Sequence, residues 1–314
     1  MKSPWGDLEV ADAHVHFFSH GFFSSLAAQK SAQGPVGAET AESIAGALGW
    51  QAPPHEAEAL ADIWAQELDR WGARRAALIS SVPGDEPSVA AAVRRHPDRF
   101  FGYFMVNPMA ADALERVRKG LGDGRLRCLC LFPAMHRFSM QDERVRALLE
   151  AAAPYPGALL FVHCGVLTVG VRAKLGLPSP FDMRFSNPID LHAVALAFPK
   201  LRFVVPHFGA GYFREALMLC DLCPNVYLDT SSSNGWMRYQ AEALDLRRVF
   251  RRSLDVIGPQ RLLFGTDSSY FPRGWHSAIF EAQSRALHEI GVSAEDARRI
   301  FGGNLAGLLE GQTQ

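Results

Sequence analysis

The 314-residue chain lacks several features that would restrict its class at once. No apolar run approaches the roughly 20 residues that a membrane-spanning helix needs, and residues 1–7 show no apolar stretch typical of a secretory signal peptide. Neither sign of charge is in excess, because 32 Lys and Arg side chains face 33 Asp and Glu side chains. We therefore expect neither a membrane nor a nucleic acid as a partner.

Cysteine is scarce as well, with an odd set of five in a long chain. Disulfide frameworks belong to short secreted domains, so this usage predicts reduced thiols and a cytoplasmic location. Hydrophobic residues, in contrast, make up 48% of the chain, which is enough for a sizeable core and excludes intrinsic disorder. The length fits one large domain, and we predict a single domain over residues 1–314.

Eight short apolar runs alternate with helical patterns along the chain. They are Leu8–Val15, Arg75–Val82, Phe100–Val106, Arg125–Phe132, Ala158–His163, Leu201–His207, Val226–Asp229 and Arg261–Asp267. Eight strands covered by helices predict an α/β fold, a (β/α)8 TIM barrel. A doubly wound sheet is the alternative, weakened because no Gly-rich phosphate fingerprint follows the first run. Residues 17–54 are irregular in pattern and predict an insertion, or lid, after the first strand.

Polar residues end several of these runs. His14 and His16 lie two residues apart in the first run, so their side chains point the same way and can bind one metal ion. His163, His207 and Asp267 end the fifth, sixth and eighth runs. Strand ends form the catalytic face of a barrel, and a core histidine at each place would need its own hydrogen-bond partner. All five residues together therefore indicate a site, although one His-x-His pair alone would not.

The pattern resembles the amidohydrolase superfamily, in particular the amidohydrolase-related branch that also contains aminocarboxymuconate-semialdehyde decarboxylase. The resemblance extends from Asp12-Ala13-His14-Val15-His16 to Phe301-Gly302-Gly303-Asn304-Leu305-Ala306, nearly the whole chain. It implies one divalent metal ion, usually Zn²⁺, with His207 beside it as an acid, a base or an orienting group. The ligands that it implies are His14, His16, His163 and Asp267.

One departure from the family pattern concerns the fourth strand. Binuclear relatives carry a carboxylated lysine or a glutamate there to bridge two metals, whereas this chain has Cys130 at about that place. We predict a mononuclear site on that account. Cys130 could serve as a soft metal ligand, but a free cysteine usually packs as a small hydrophobe.

Two kinds of loop residue are candidates for substrate binding. Arg172 and Arg184 follow the fifth strand and would suit a carboxylate substrate, although loop arginines are more often solvated or paired with a neighbouring acid. Trp236 and Trp275 follow the seventh and eighth strands and would favour an apolar or aromatic substrate. Aromatic residues in these loops could equally hold the insertion down.

These observations predict a metal-dependent hydrolase that cleaves an amide, ester or lactone of a small organic molecule through a metal-activated water. His207 would stabilise the oxyanion, and Asp267, besides coordinating, would pass a proton to the leaving group. The alternative is a non-oxidative decarboxylase of a carboxylated aromatic or muconate-like acid, because the resembling branch uses the same residues for that reaction. A purely structural metal site is disfavoured, since such sites are usually Cys-rich. Relatives of the branch are often dimers, so a homodimer is a further expectation.

Overall fold

A computed structural model describes residues 1–34, 38–232 and 234–310. Its central feature is a sheet of eight parallel strands that pair in chain order. The strands are Ala11–Phe17, Arg75–Ser80, Phe100–Met105, Leu126–Leu131, Leu159–Val162, Arg202–Val205, Val226–Asp229 and Leu262–Leu263. The sheet closes on itself because the Ala13 N–H donates to the Phe264 carbonyl at 2.8 Å and the His16 N–H to the Ser268 carbonyl at 2.7 Å. The predicted TIM barrel is confirmed.

The helices surround this barrel, and a two-stranded hairpin, Lys2–Ser3 with Gly6–Asp7, precedes it. The α-helices are His20–Ser31, Ala41–Leu48, Ala57–Trp71, Glu86–Arg95, Ala113–Gly122, Pro133–His136, Glu143–Ala152, Gly170–Lys174, His192–Ala197, Phe213–Leu222, Leu246–Ile257, Ser277–Glu289, Ala294–Arg298 and Asn304–Glu310. Short 3-10 segments are Met183–Phe185, Pro188–Leu191, His207–Gly209, Asn234–Tyr239 and Pro259–Arg261, and Arg299–Gly303 is π-helical. Within the described residues, none of these helices has the length and apolarity to cross a bilayer.

The strands are buried on both faces, which explains their nearly continuous apolar sequence. One apolar cluster fills the barrel interior, and a larger one lies between the sheet and the surrounding helices. The helix Ala57–Trp71 illustrates the second layer, because Leu60, Trp64 and Leu68 follow helical spacing and are buried. It ends at Gly72, whose φ of 74° is in the left-handed region that glycine adopts without strain.

Three of the predicted runs extend beyond the strands that the structure contains. The fifth strand ends at Val162, the sixth at Val205 and the eighth at Leu263, each before the polar residue that ends the run. His207 and Asp267 have φ values of 55° and 58°, so the chain has left the extended conformation when it reaches them. The polar side chains therefore lie on the loops that begin at the mouth of the barrel.

The last helical region closes the amino-terminal part of the first strand. Ser293 caps the helix Ala294–Arg298 by accepting the Asp296 N–H, and the π-helical turn follows at the glycine pair. A Cβ atom on Gly302 would lie 2.7 Å from the Glu9 carbonyl oxygen. Glycine at this position allows the helix to approach the backbone of the first strand closely.

The insertion, residues 17–54, contains the helices His20–Ser31 and Ala41–Leu48, and residues 35–37 within it lie outside the described residues. Phe22, Phe23 and Ile44 form one apolar cluster with Val171 and Leu175, which follow the fifth strand. The insertion thus packs beside the mouth of the barrel. Its function as a lid stays a prediction.

Candidate metal centre

Three donor atoms from two strand ends meet at the mouth of the barrel. The Nε2 atoms of His14 and His16 lie 3.3 Å apart, and Asp267 Oδ1 lies 3.6 Å from the former and 3.3 Å from the latter. A tetrahedral zinc shell with bonds of 2.0–2.1 Å has ligand-to-ligand edges of about 3.3–3.4 Å. The triangle therefore has the size of one face of such a shell.

The backbone explains how these atoms come together. His14 and His16 alternate with buried residues on the first strand, so both side chains point to the same side of the sheet. Asp267 is held against that strand because its N–H donates to the His14 carbonyl at 2.9 Å. Its left-handed φ of 58° is uncommon for an aspartate, and such backbone conformations are concentrated at functional sites.

Each histidine of the triangle is oriented through its other ring nitrogen. Asp229, fully buried at the end of the seventh strand, has Oδ2 at 2.7 Å from His14 Nδ1. Ser81 Oγ lies 2.7 Å from His16 Nδ1. Engaging Nδ1 leaves Nε2 of each ring as the nitrogen available to a metal ion. The sequence analysis missed both partners, although Asp229 carries the same signal as the predicted residues, a polar residue at the end of an apolar run.

A second buried carboxylate, Asp12, lies on the first strand and links it to the residues around the eighth strand. It accepts hydrogen bonds from Trp275 Nε1 at 2.7 Å, Thr266 Oγ1 at 2.5 Å and the His14 N–H at 2.9 Å. Burial raises the pKa of Asp12 to about 6, although these hydrogen bonds oppose the shift. Trp275 is 1% exposed and turns towards this network instead of the barrel mouth. It lines neither cavity at the barrel mouth, and its predicted contact with substrate stays a prediction; the contact that the structure shows is the one with Asp12.

The electrostatics of the donors suit a metal site. Burial alone would raise the pKa of Asp267, but the hydrogen bond from His16 and the charges of the nearby histidines lower it to about 2. Burial lowers the pKa of His16 below its ordinary value. For His14, burial acts in the same direction, but the Asp229 carboxylate outweighs it and the pKa is raised. Asp229 favours the doubly protonated ring of His14, and a metal ion at Nε2 would take the place of the proton on that nitrogen.

The other two predicted histidines line the space above the triangle. His163 is buried, its ring stacks on Phe132 with centroids 5.3 Å apart, and it lies 5.4 Å from the ring of His207. Among the described residues no hydrogen-bond partner reaches His163 Nδ1. A buried ring nitrogen without a protein partner is suited to a ligand. His163 lies beside the triangle but outside the group of donors within 4.8 Å of one another, so its coordination stays a prediction.

His207 has one ring nitrogen fixed by hydrogen bonds, and its ring lies near the triangle of donor atoms. Its Nδ1 lies 2.9 Å from Ser231 Oγ and 3.3 Å from the Ser231 carbonyl oxygen, and its ring centroid lies 5.0 Å from that of His14. Burial and the nearby His14 lower the pKa of His207, so the neutral imidazole predominates at neutral pH. A neutral ring with Nδ1 engaged has Nε2 available to accept a proton or to bind a substrate oxygen.

Two adjoining cavities open onto the site, with volumes of about 310 and 160 Å³. Both are lined by His163, His207 and Asp267. The walls of the larger one are aromatic, and Lys174 lies at one side with Nζ 5.9 Å from the Trp50 ring. Its aromatic residues are Phe18, Phe22, Trp50, Phe132 and Tyr270. These volumes suit a small organic molecule.

The smaller cavity contains one of the predicted substrate residues. Trp236 lines it together with Arg238 and Tyr239. Its indole nitrogen is buried, and no partner for it occurs among the residues that the structure describes. The predicted role of Trp236 in substrate binding is compatible with this placement and stays a prediction. A larger cavity, of about 690 Å³, lies at the opposite end of the barrel and contains none of the candidate site residues.

The two predicted arginines have other partners. Arg172 donates to Gln29 Oε1 at 2.7 Å and to the Pro178 carbonyl at 2.6 Å. Arg184 pairs with Asp182 at 2.6 Å, and its side chain is 83% exposed. Neither lines the two cavities at the site, where the cationic side chains are Lys174 and Arg238. Arg184 is thus paired with a neighbouring acid, whereas Arg172 is bound to neutral acceptors; a role of either in substrate binding stays a prediction.

At the end of the fourth strand, Phe132 and not Cys130 lines the cavity. Cys130 is fully buried in the barrel interior, and burial raises the pKa of its thiol. Phe132, two residues further along, is the side chain that faces the cavity. Phenylalanine cannot bridge two metal ions, and the mononuclear site stays a prediction.

Comparisons with known proteins place this geometry in context. A family model described as amidohydrolase matches residues 11–309. The protein fluG of Emericella nidulans is 34% identical over 87 residues, a match that covers 28% of this chain and only 10% of that protein.

Solved structures share the fold over nearly all of both chains. An amidohydrolase from Burkholderia multivorans with bound zinc has a TM-score of 0.61 at 17% identity and covers 96% of this chain and 99% of its own. A 5-carboxyvanillate decarboxylase from Novosphingobium aromaticivorans, with bound manganese, has a TM-score of 0.59 at 15% identity and covers 98% of each. At such identities the likeness shows the barrel alone.

Proposed function

The chain belongs to the amidohydrolase family, and from that premise we propose that it is a metal-dependent hydrolase of a small organic amide, ester or lactone. The observation that carries the proposal is the triangle of His14, His16 and Asp267, whose edges of 3.3–3.6 Å match a zinc shell and which opens onto a cavity. A structural zinc site would be closed and Cys-rich.

We propose that these three residues, with His163 as a fourth, hold one divalent ion, and that the ion is Zn²⁺. Imidazole nitrogens and a carboxylate form a donor set that zinc commonly accepts. The zinc-bound amidohydrolase that shares the fold supports this choice. A divalent ion bound there would lower the pKa of a water molecule and polarise a substrate carbonyl.

The side chains of this chain would divide the remaining tasks. His207, neutral and fixed through Nδ1 by Ser231, can use Nε2 to take a proton or to orient the substrate oxygen. Asp267 would help to hold the ion, and its carboxylate could carry a proton from the attacking water to the leaving group. Its side chain is 32% exposed, which allows this contact with the cavity.

The cavity walls narrow the substrate class. Aromatic side chains on one side suit a planar or apolar body. Lys174 in the larger cavity and Arg238 in the smaller one suit an anionic group at either end of that body. We therefore propose a small aromatic or unsaturated molecule with a carboxylate as the substrate.

A non-oxidative decarboxylase is the second candidate. The same aromatic walls and Lys174 would fit a carboxylated aromatic acid, and the 5-carboxyvanillate decarboxylase shares the barrel. In that reaction His207 or Asp267 would deliver the proton to carbon in place of the carboxylate.

The two candidates separate in one experiment on the zinc-loaded protein. Proton release from esters and lactones that carry a carboxylate, and amine release from the corresponding amides, report hydrolysis. Carbon dioxide release from carboxylated phenols and muconates reports decarboxylation. Asp267→Asn should abolish either activity, whereas the surface variant Asp182→Asn, a matched loss of a carboxylate, should retain it. Activity that survives unchanged in Asp267→Asn would refute the proposed site, and carbon dioxide release without hydrolysis would select the second candidate.

A further inference from the structure

A second cluster of side chains that could bind a metal ion lies at the insertion, with two members on it and one directly after it. His20 begins the helix His20–Ser31, Glu42 is in the first turn of the helix Ala41–Leu48, and His55 lies just before the helix Ala57–Trp71. The donor atoms of these three residues lie within 4.8 Å of one another. The mechanism proposed above uses none of them.

The distances fit the separation of two ligands on one metal ion as well as that of a long hydrogen bond. Glu42 Oε1 lies 3.4 Å from His20 Nε2 and 3.6 Å from His55 Nε2. These values are close to the 3.3–3.6 Å edges of the first triangle and to the edge of about 3.3–3.4 Å in a tetrahedral zinc shell. By contrast, the surface pair of His96 and Asp62 is a hydrogen bond of 2.6 Å.

The ring of His20 is oriented as a ligand would be. Ser24 Oγ lies 3.3 Å from its Nδ1, one helical turn further along, so Nε2 faces the carboxylate of Glu42. Partners of this kind on the second ring nitrogen are usual for metal-binding histidines. The same arrangement holds His16 in the first site through Ser81.

Binding of an ion would require one histidine ring of the cluster to turn, and His55 is the most exposed of the three side chains. The rings of His20 and His55 lie 4.0 Å apart, nearer than the 5.1 Å between His14 and His16, so one ring must turn outward to give both nitrogens access to an ion. The His55 side chain is 75% exposed and free to do so. Glu42 is 54% exposed and His20 is 23% exposed, which leaves an open side for water as a fourth ligand.

We propose that His20, Glu42 and His55 bind a second Zn²⁺ ion that fastens the insertion to the barrel. The ion would join both helices of the insertion to the segment that leads into the helix Ala57–Trp71. Phe22, on the same helix as His20, lines the larger cavity, so fixing this helix fixes one wall of the cavity. The proposal does not depend on the reaction that the first site catalyses.

Zinc titration of the metal-free protein against a competing chelator tests this proposal. We expect two zinc ions per chain in the parent protein and one in the variant His20→Ala/His55→Ala. The variant His14→Ala/His16→Ala should retain the ion at the insertion. Glu42→Gln should lower the affinity for that ion on the order of tenfold or more, because loss of a direct ligand should lower the affinity at least as much as loss of an outer partner. His96→Ala, a matched surface histidine, should bind zinc as the parent does.

Hydrogen exchange provides a readout independent of activity. Zinc should slow exchange in the helix Ala41–Leu48 of His14→Ala/His16→Ala, and should have no such effect when His20 and His55 are also replaced. Equal zinc stoichiometry in the parent and in His20→Ala/His55→Ala would overturn the proposal. So would zinc binding to the insertion without slower exchange in this helix, because the ion would then not fasten it. His55 is 75% exposed but His20 is only 23% exposed. Unchanged thermal unfolding of the metal-free variants would therefore be needed to exclude misfolding as the cause of a lost ion.

Discussion

The substitution Asp229→Asn should impair metal binding without touching a ligand. Asp229 Oδ1 accepts the Ser231 N–H at 2.6 Å, and Oδ2 faces His14 Nδ1 at 2.7 Å. An asparagine that keeps its oxygen towards Ser231 presents its NH₂ group to His14. The ring must then accept at Nδ1 and carry its proton on Nε2, the nitrogen that should bind the metal.

The expected magnitude follows from the geometry of this pair. Both side chains are buried, at 0% and 1% exposure, so water cannot substitute for the lost acceptor. Loss of an outer partner of a metal-binding histidine typically weakens affinity 10- to 100-fold, which corresponds to about 1.4–2.7 kcal/mol. We expect a value near the upper end, because the substitution favours the wrong tautomer as well as removing a charge.

The assay is competition for zinc with a chromophoric chelator, in a His20→Ala/His55→Ala background that isolates the first site. Thr230→Val is the control, because Thr230 adjoins Asp229 but its Oγ1 donates to Gln283 Oε1 at 2.7 Å and contacts no ligand. The control should keep the affinity of the parent. An Asp229→Asn protein that binds zinc within twofold of the control would refute the reasoning about the His14 tautomer.

Three further predictions concern other parts of the molecule. Trp275→Phe removes the 2.7 Å hydrogen bond to the fully buried Asp12, and should lower the free energy of unfolding by about 1–3 kcal/mol in urea denaturation; no loss would mean that Asp12 finds another donor. Burial lowers the pKa of His136 from 6.5 to about 4. When the pH is lowered from 7 to 5, the unfolded chain therefore gains a proton that the folded chain does not, and the free energy of unfolding decreases. Between pH 7 and pH 5, His136→Gln should lose about 2 kcal/mol less of its free energy of unfolding than the parent, as measured by thermal unfolding. Equal losses in the two proteins would contradict the lowered pKa. Lys174→Met should raise KM for a carboxylate substrate about tenfold while leaving an uncharged analogue unaffected, and equal effects on both would show that Lys174 does not bind the anion.

The barrel and the meeting of His14, His16 and Asp267 could be predicted because both depend on local sequence. An apolar run that ends in a polar residue identifies a strand and its active end, and this signal located His14, His16 and Asp267. The same signal occurs at Asp229, but the sequence does not show that this carboxylate contacts His14 Nδ1 and the Ser231 N–H. The boundaries were less accurate, since the left-handed backbone at His207 and Asp267 depends on how the loops pack at the mouth.

The walls of the site could not be predicted in this way. Trp275 turns inward because Asp12, 263 residues earlier in the chain, is its hydrogen-bond partner. Arg172 is occupied by Gln29 of the insertion, 143 residues away, whereas Lys174, two positions further on, lines the cavity. Which loop cation faces the cavity is decided by such long-range partners and leaves no periodicity in the sequence.

The most direct test of the account is the zinc content of purified protein in the His20→Ala/His55→Ala background, with and without His14→Ala/His16→Ala. The account predicts about one ion per chain in the first protein and none in the second, since the two histidines supply two of the three donor atoms of the triangle. Absence of zinc from the first protein after reconstitution, or its retention in the second, would contradict the central claim that His14, His16 and Asp267 form a metal centre.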